Sequence, residues 1–302
     1  MKESYVDVNG LRTRYVRAGE KGPAIVLLHG LGASLESWWC TVDALGEHFR
    51  VFAPDIVYFG KSAKPEREPD QADFIEFTLS FMDTFGLERA TLVGNSMGGA
   101  IAAKTAMLHP TRVPSLVLVN SAGFGREVAW WLRLRSVLHR HPTGKPPSWM
   151  VQWGLRLVFH DPSRLPDELV QKLVEIDQDP ESQRAYKQVL TLGVDWRGVK
   201  PSLLQEIRDA AHEIRVPTLI VWGKQDRIVP VHHAKVAQSK IPKARLHIFD
   251  RCGHAPQMEY PEEFNALVKE FVCQTNQSED IFTAKDAEEK LRLSRRAGLR
   301  KL

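Results

Sequence analysis

The sequence predicts an α/β protein: a mostly parallel sheet flanked by helices on both faces, with a helical cap inserted after the sixth strand. Three observations carry this reading. Short, chiefly apolar runs recur at Ala24–Leu28, Ala90–Val93, Leu116–Val119 and Thr218–Trp222. They are too short for helices and suit strands buried on both faces. Segments with helical spacing separate several of them, and the alternation lapses only between about Gly123 and Ala211.

Taken in order, Tyr5–Val8 and Thr13–Val16 flank Asn9-Gly10, a strong signal for a tight antiparallel hairpin. Ala24–Leu28 follows Gly22-Pro23, and Val51–Ala53 is a further strand stopped by Pro54. Phe74, Phe77, Thr78, Phe81 and Phe85 recur at helical spacing before Gly86 ends the helix. Ala90–Val93 then leads through a glycine-rich turn, Gly94–Gly99, into a small-residue helix, Ala100–Leu108. Leu116–Val119, Thr218–Trp222 and Arg245–Phe249 complete the sheet, and Phe264, Leu267, Val268 and Phe271 mark a last packed helix.

The lapse from 123 to 211 holds five of the eight tryptophans: Trp130, Trp131, Trp149, Trp153 and Trp196. Pro142, Pro146, Pro147, Pro162, Pro166 and Pro180 divide it into short helical pieces. A connection of that length must carry structure of its own. The expected division is therefore a core of residues 1–122 and 212–274, a helical cap of 123–211, and a polar, basic tail of 275–302.

The chain has 302 residues, 43% hydrophobic and 26% charged, which suits a packed core. The formal charge of +4 is uneven. Six basic residues and no acidic one lie between Lys290 and Leu302, so the rest of the chain is slightly acidic and gives no sign of a nucleic-acid binder. No signal peptide and no membrane span are read from the sequence. Cys40, Cys252 and Cys273 lack metal-ligand spacing and read as free thiols of a cytoplasmic protein.

Gly94-Asn95-Ser96-Met97-Gly98 fits G-x-S-x-G between a predicted strand and a predicted helix. Such a turn holds its serine in a strained conformation at a helix N-terminus, where free N–H groups favour developing negative charge. A serine hydroxyl needs a base. Of eleven histidines, His254 sits in a loop after the last strand, at the sheet end where α/β folds place their sites. Asp226, in the loop after Thr218–Trp222, is the candidate acid behind it; Asp250, Asp195 and Asp209 compete. The oxyanion donors are expected from the N–H groups of Met97 and of Leu31, in the glycine-rich loop His29-Gly30-Leu31-Gly32. His29 reads as a bridge between loops, and no nucleotide-binding loop is present. Tyr58, Trp130 and Trp153 are candidate pocket residues.

These residues carry a resemblance. His29-Gly30-Leu31-Gly32, Ala53-Pro54-Asp55, Phe59-Gly60-Lys61-Ser62, Gly94 to Gly99, Trp222-Gly223 with Asp226, and Gly253-His254 are similar to the motifs of the α/β-hydrolase superfamily. The likeness covers residues 5 to 273 apart from the cap. It implies a Ser96–His254–Asp226 triad, no metal or other cofactor, and a small-molecule substrate held between core and cap. Within the superfamily, Leu92 to Ala100 and Phe59 to Pro65 resemble the meta-cleavage-product hydrolases, which cut carbon–carbon bonds in dienoates left by aromatic ring opening. Ala255 stands where many of those enzymes have tryptophan, Val57-Tyr58 where proline-glycine is usual, and the stretch after Gly30 lacks their Gly-Pro-Gly. Their substrate's acid group meets a cap arginine; Arg133, Arg135 and Arg156 are the candidates. The expected activity is hydrolysis of small, fairly apolar carboxylic esters through an acyl-enzyme. Carbon–carbon bond hydrolysis and ligand binding on a hydrolase scaffold are the alternatives.

Overall fold

The computed structural model describes residues 2–138, 148–177 and 179–277. Eight strands form one sheet: β1 (Ser4–Val8), β2 (Leu11–Ala18), β3 (Ala24–Leu28), β4 (Arg50–Pro54), β5 (Thr91–Asn95), β6 (Leu116–Val119), β7 (Thr218–Gly223) and β8 (Arg245–Phe249). Their spatial order is β1-β2-β4-β3-β5-β6-β7-β8. Only β2 runs against the others, pairing antiparallel with both β1 and β4. The β1–β2 turn uses Asn9 and Gly10 at φ 51° and 82°, the left-handed pair a two-residue hairpin requires.

The apolar runs are continuous because the strands are covered on both faces. Successive residues of β3 point into different cores: Val26 and Leu28 into one, Ile25 and Leu27 into the other. Leu92 and Val93 of β5, and Ile220 and Val221 of β7, divide in the same way. The edge strand β8 instead alternates between exposed and half-buried until Phe249.

The helix predicted from Phe74 starts earlier, at Gln71, because Asp70 and Asp73 form a capping box around its first turn. Its Phe74, Phe77 and Phe81 pack into the first core. The helix predicted from Ala100 likewise begins at Met97, inside the glycine-rich turn. The last helix spans 261–277, running three residues past the tail boundary expected at 274. The remainder of the tail lies outside the described residues.

Between β6 and β7 come the helices Trp130–Val137, Ser148–Val158, Asp167–Asp177 and Pro180–Gly193 and a two-stranded ribbon, Val194–Asp195 with Gly198–Val199. Pro162 and Pro180 open helical turns, capped by Asp161 and Asp179 respectively. Pro142, Pro146 and Pro147 lie outside the described residues. No described helix is long and apolar enough to cross a membrane.

The chain passes from β3 outward to β4 and back across to β5, so β3 and β5 bracket the switch point of the sheet. The crevice beyond their carboxyl ends is where this topology leaves room for a ligand. Backbone contact closes it from beneath: a Cβ on Gly98 would lie 2.2 Å from the Leu28 carbonyl oxygen and 2.6 Å from that of His29. Those carbonyls belong to the sheet and its first loop and cannot give way cheaply. Gly98→Ala should therefore cost about 3 kcal/mol or more, read as a fall in the urea midpoint at unchanged slope.

Candidate active site

Ser96 follows β5 directly and takes φ 55°, ψ −115°, a conformation rare outside glycine and costing roughly 1–3 kcal/mol. The surroundings over-determine it. Its N–H donates to the Val119 carbonyl at 2.9 Å, and its own carbonyl accepts from Ala122 at 3.0 Å. A Cβ on Gly94 would meet the Gly98 carbonyl oxygen at 2.2 Å, and one on Gly99 would meet Ser121 Oγ at 2.6 Å. Strand and helix can cross this closely only because both positions are glycine.

His254 is held by its main chain. Its N–H donates to the Val158 carbonyl at 2.7 Å, and its carbonyl accepts from Asn95 Nδ2 at 3.1 Å. The imidazole Nδ1 lies 2.7 Å from Asp226 Oδ2. A carboxylate only accepts, so Nδ1 carries a proton, and in the neutral ring Nε2 is the nitrogen left with a lone pair. Asp226 is buried and saturated. Its Oδ1 accepts from the N–H groups of Ile228 and Val229 at 2.7 and 3.0 Å, and its Oδ2 accepts also from Asn120 Nδ2 at 2.6 Å. The competing Asp250 is exposed and pairs with Lys224 at 3.1 Å. Asp195 and Asp209 make local bonds to Arg197 N–H and to Arg208.

The glycine-rich loop after β3 lies against the serine, since a Cβ on Gly30 would come within 3.2 Å of Ser96 Cβ. His29 bridges loops as the sequence suggested: Nδ1 donates to the Gly30 carbonyl at 2.8 Å and Nε2 accepts from the Ile56 N–H at 2.9 Å. Complete burial lowers its pKa to about 4. Asp55 fixes the next turn, its Oδ1 accepting from Leu35 N–H at 2.7 Å and its Oδ2 from Lys61 N–H at 2.8 Å. Asp55 and Glu36 flank the buried Arg14 guanidinium, which Asp55 meets at 3.1 Å. Burial raises the pKa of Asp55 to about 6 against the pull of Arg14. Among the described backbone bonds, the N–H groups of Leu31 and Met97 have no partner.

Ser96, His254, Leu31 and Met97 all border one cavity of about 600 Å³. Its walls are chiefly apolar, with Phe74, Ile101, Leu132, Leu157 and Met258 among them. Of the predicted pocket residues, Trp153 lines the cavity. Tyr58 and Trp130 do not. At φ 78° Tyr58 turns its ring into the core against Phe74, and Trp130 points outward, 64% exposed. Of the three candidate arginines, Arg135 borders the cavity, lying 4.6 Å over the Tyr186 ring and donating to Gln183 Oε1 at 2.8 Å. Arg133 and Arg156 are exposed.

The sequence reading missed two residues here. Asn120 sits at φ 45° directly after the wholly apolar β6, and a polar residue at that strand's carboxyl end is the signal that could have found it. Glu259 had none. It is buried and its carboxylate accepts three backbone N–H groups: Gly253 at 2.6 Å, and His160 and Asp161 at 3.0 Å each. It thus ties the loop before His254 to the segment inserted between β6 and β7. Away from the cavity, Glu127, His232 and His233 bring ligand-type atoms within 4.8 Å of one another. A metal on His233 Nε2 would require the proton on Nδ1, which is buried with no acceptor among the described residues, so the cluster is a poor metal site.

The fold agrees with the comparisons. The chain belongs to the alpha/beta hydrolase fold family, whose pattern matches residues 23–261, and is an enzyme of that family. It is 32% identical over 266 residues to the 2-hydroxy-6-oxo-6-(2'-aminophenyl)hexa-2,4-dienoic acid hydrolase of Metapseudomonas resinovorans, covering 87% of this chain and 88% of that one. Among solved structures it resembles a meta-cleavage product hydrolase from Pseudomonas fluorescens IP01, with TM-score 0.76 and 29% identity, covering 90% of this chain and 97% of the other. It also resembles a bacterial membrane phospholipase A, with TM-score 0.77 and 28% identity over 91% and 86% of the two chains.

The His29 environment carries a pH signature. The ring stays neutral in the fold down to about pH 4, whereas the unfolded chain protonates near the ordinary value of 6.5. Between those values the unfolded state takes up a proton that the folded state refuses, so stability is complete above the window and falls as pH drops through it. Urea titrations across that window should show the wild type losing on the order of 3 kcal/mol more than His29→Gln, which lacks the titrating ring.

Proposed function

We propose that the chain is a serine hydrolase of small, fairly apolar carboxylic esters, with Ser96 as nucleophile, His254 as base and Asp226 as the acid behind it. The observation that supports this best is His254, 2.7 Å from the buried Asp226 and bordering the same apolar cavity as Ser96. The Ser96 hydroxyl attacks the ester carbonyl and passes its proton to His254 Nε2. The Leu31 and Met97 N–H groups take the oxyanion, and the helix Met97–Leu108 adds the positive end of its dipole. His254 returns the proton to the departing alcohol. Water, deprotonated by the same ring, then releases the acid from the acyl-enzyme. Residues 123–211 act as a cap that walls the cavity over a core of 1–122 and 212–274.

Arg135 supports a second reading, carbon–carbon bond hydrolysis in a 2-hydroxy-6-oxo-dienoate-type substrate. It brings a guanidinium to a cavity with apolar walls, the complement of an apolar substrate ending in a carboxylate. The relative from Metapseudomonas resinovorans is named for a substrate of that kind. The serine chemistry is shared; His254 would protonate a carbon leaving group instead of an alkoxide.

Hydrolysis of p-nitrophenyl acetate and butyrate should occur in the wild type and fall at least about a thousandfold in Ser96→Ala. An inert wild type defeats the ester reading. Loss of the visible absorbance of a dienoate ring-cleavage product measures the second. In that assay Arg135→Ala should raise KM about tenfold while neutral esters are unaffected; equal effects on both would remove the carboxylate from the argument.

A further inference from the structure

Of the two tryptophans expected to line the pocket, Trp153 does and Trp130 does not. On the helix Trp130–Val137 and its cap residue Leu138, the exposed apolar side chains are Trp130, Leu134, Val137 and Leu138. Their spacing of i, i+4, i+7 and i+8 places them on one face. On the helix Ser148–Val158, Trp149 and Trp153 repeat the pattern at i and i+4, with Trp149 69% exposed. Each stripe reaches the rim of the active-site cavity: Leu138 and Trp153 are each half exposed and also border it. Trp196 is a further exposed ring, on the ribbon against which the first helix packs. Large apolar side chains gathered this densely on an outer surface mark an interaction site.

The charges decide the partner. The exposed cations of the two helices are Arg133 and Arg156, neither helix has an acidic residue, and Arg197 stacks on Trp196 at 4.6 Å. A symmetric pairing of two copies through this face would set the same patch against itself, arginine facing arginine. An anionic lipid surface neutralises them instead. Tryptophan rings also suit the boundary between headgroup and acyl chain, where an apolar body and one polar N–H are both accommodated. We infer that the face formed by Trp130, Leu134, Leu138, Trp149 and Trp153 docks the enzyme on anionic lipid bilayers, with the cavity mouth turned toward the acyl layer. Binding of this kind lies in the interface and needs no spanning helix.

The test is co-sedimentation of the full chain with sucrose-loaded vesicles of phosphatidylcholine, alone or with about 30% phosphatidylglycerol. The protein should pellet with the anionic vesicles, less so at high salt, and remain in solution with phosphatidylcholine alone. In the double variant Trp130→Ser/Trp149→Ser the partition coefficient should fall roughly tenfold. Neither residue borders the cavity, so turnover of dissolved p-nitrophenyl butyrate should not change, which confirms that the variant is folded. Ser96→Ala should bind vesicles as well as the parent, separating docking from catalysis. A parent that never pellets, or a double variant that pellets as well as the parent, overturns the inference. So does a parent that is dimeric by light scattering, fails to bind vesicles, and becomes monomeric in the double variant; the occupant would then be a second copy of the chain.

Discussion

Everything at the site is referred to one crossing of backbone over backbone. Strand β5 turns into the helix Met97–Leu108 with no side chain between Gly94 and the Gly98 carbonyl, and Gly98 in turn lies against the end of β3. That contact fixes the helix N-terminus relative to both central strands. It also throws Ser96 into its positive-φ conformation at the rim of the crevice. A residue in this conformation would relax if left alone. It persists because its N–H and carbonyl are tied to Val119 and Ala122 in the neighbouring strand and its exit loop.

The other site loops are then brought to the serine by polar groups that substitute for core packing. The loop after β3 is held by His29 and by Asp55, whose charge is shared with the buried Arg14. Buried ion clusters of this kind contribute little net stability, since desolvation offsets most of the attraction. What this one supplies is placement: both Asp55 oxygens accept loop N–H groups, and the Leu31 amide lies in the stretch between His29 and Leu35. On the opposite side Asn120 and Asn95 join the exits of β6 and β5 to the Asp226 and His254 loops. The cavity wall is chiefly apolar, while the loops that carry its reactive groups are held by polar side chains, His29, Asp55, Asn95 and Asn120.

What could be read from the sequence follows from how local the cause is. Strand identity was legible because a strand buried on both faces is apolar through its middle, as β3, β6 and the interiors of β5 and β7 are. The G-x-S-x-G turn was legible because its glycines are demanded by contacts within a few residues. The pairing of His254 with Asp226 followed from chain order and strand ends. Tyr58 and Trp130 were misplaced because side-chain direction depends on backbone rotation and on neighbours distant in sequence: φ 78° turns Tyr58 inward, and a solvent-facing stripe claims Trp130. Arg135 could not be chosen over Arg133 and Arg156 for the same reason. Glu259 was invisible because its partners are main-chain N–H groups, two of them nearly a hundred residues away, which leave no mark in residue identity.

That anonymity has an evolutionary consequence. The inserted segment meets the His254 loop through the Val158 carbonyl and the N–H groups of His160 and Asp161, groups that every residue except proline possesses. Side chains on the insertion can therefore drift without cutting the link that holds His254 in line. A lineage can remodel its cavity wall, and with it the range of molecules admitted, while the machinery beneath inherits the same alignment. Substrate choice and chemical competence are in this way separately heritable within one continuous chain.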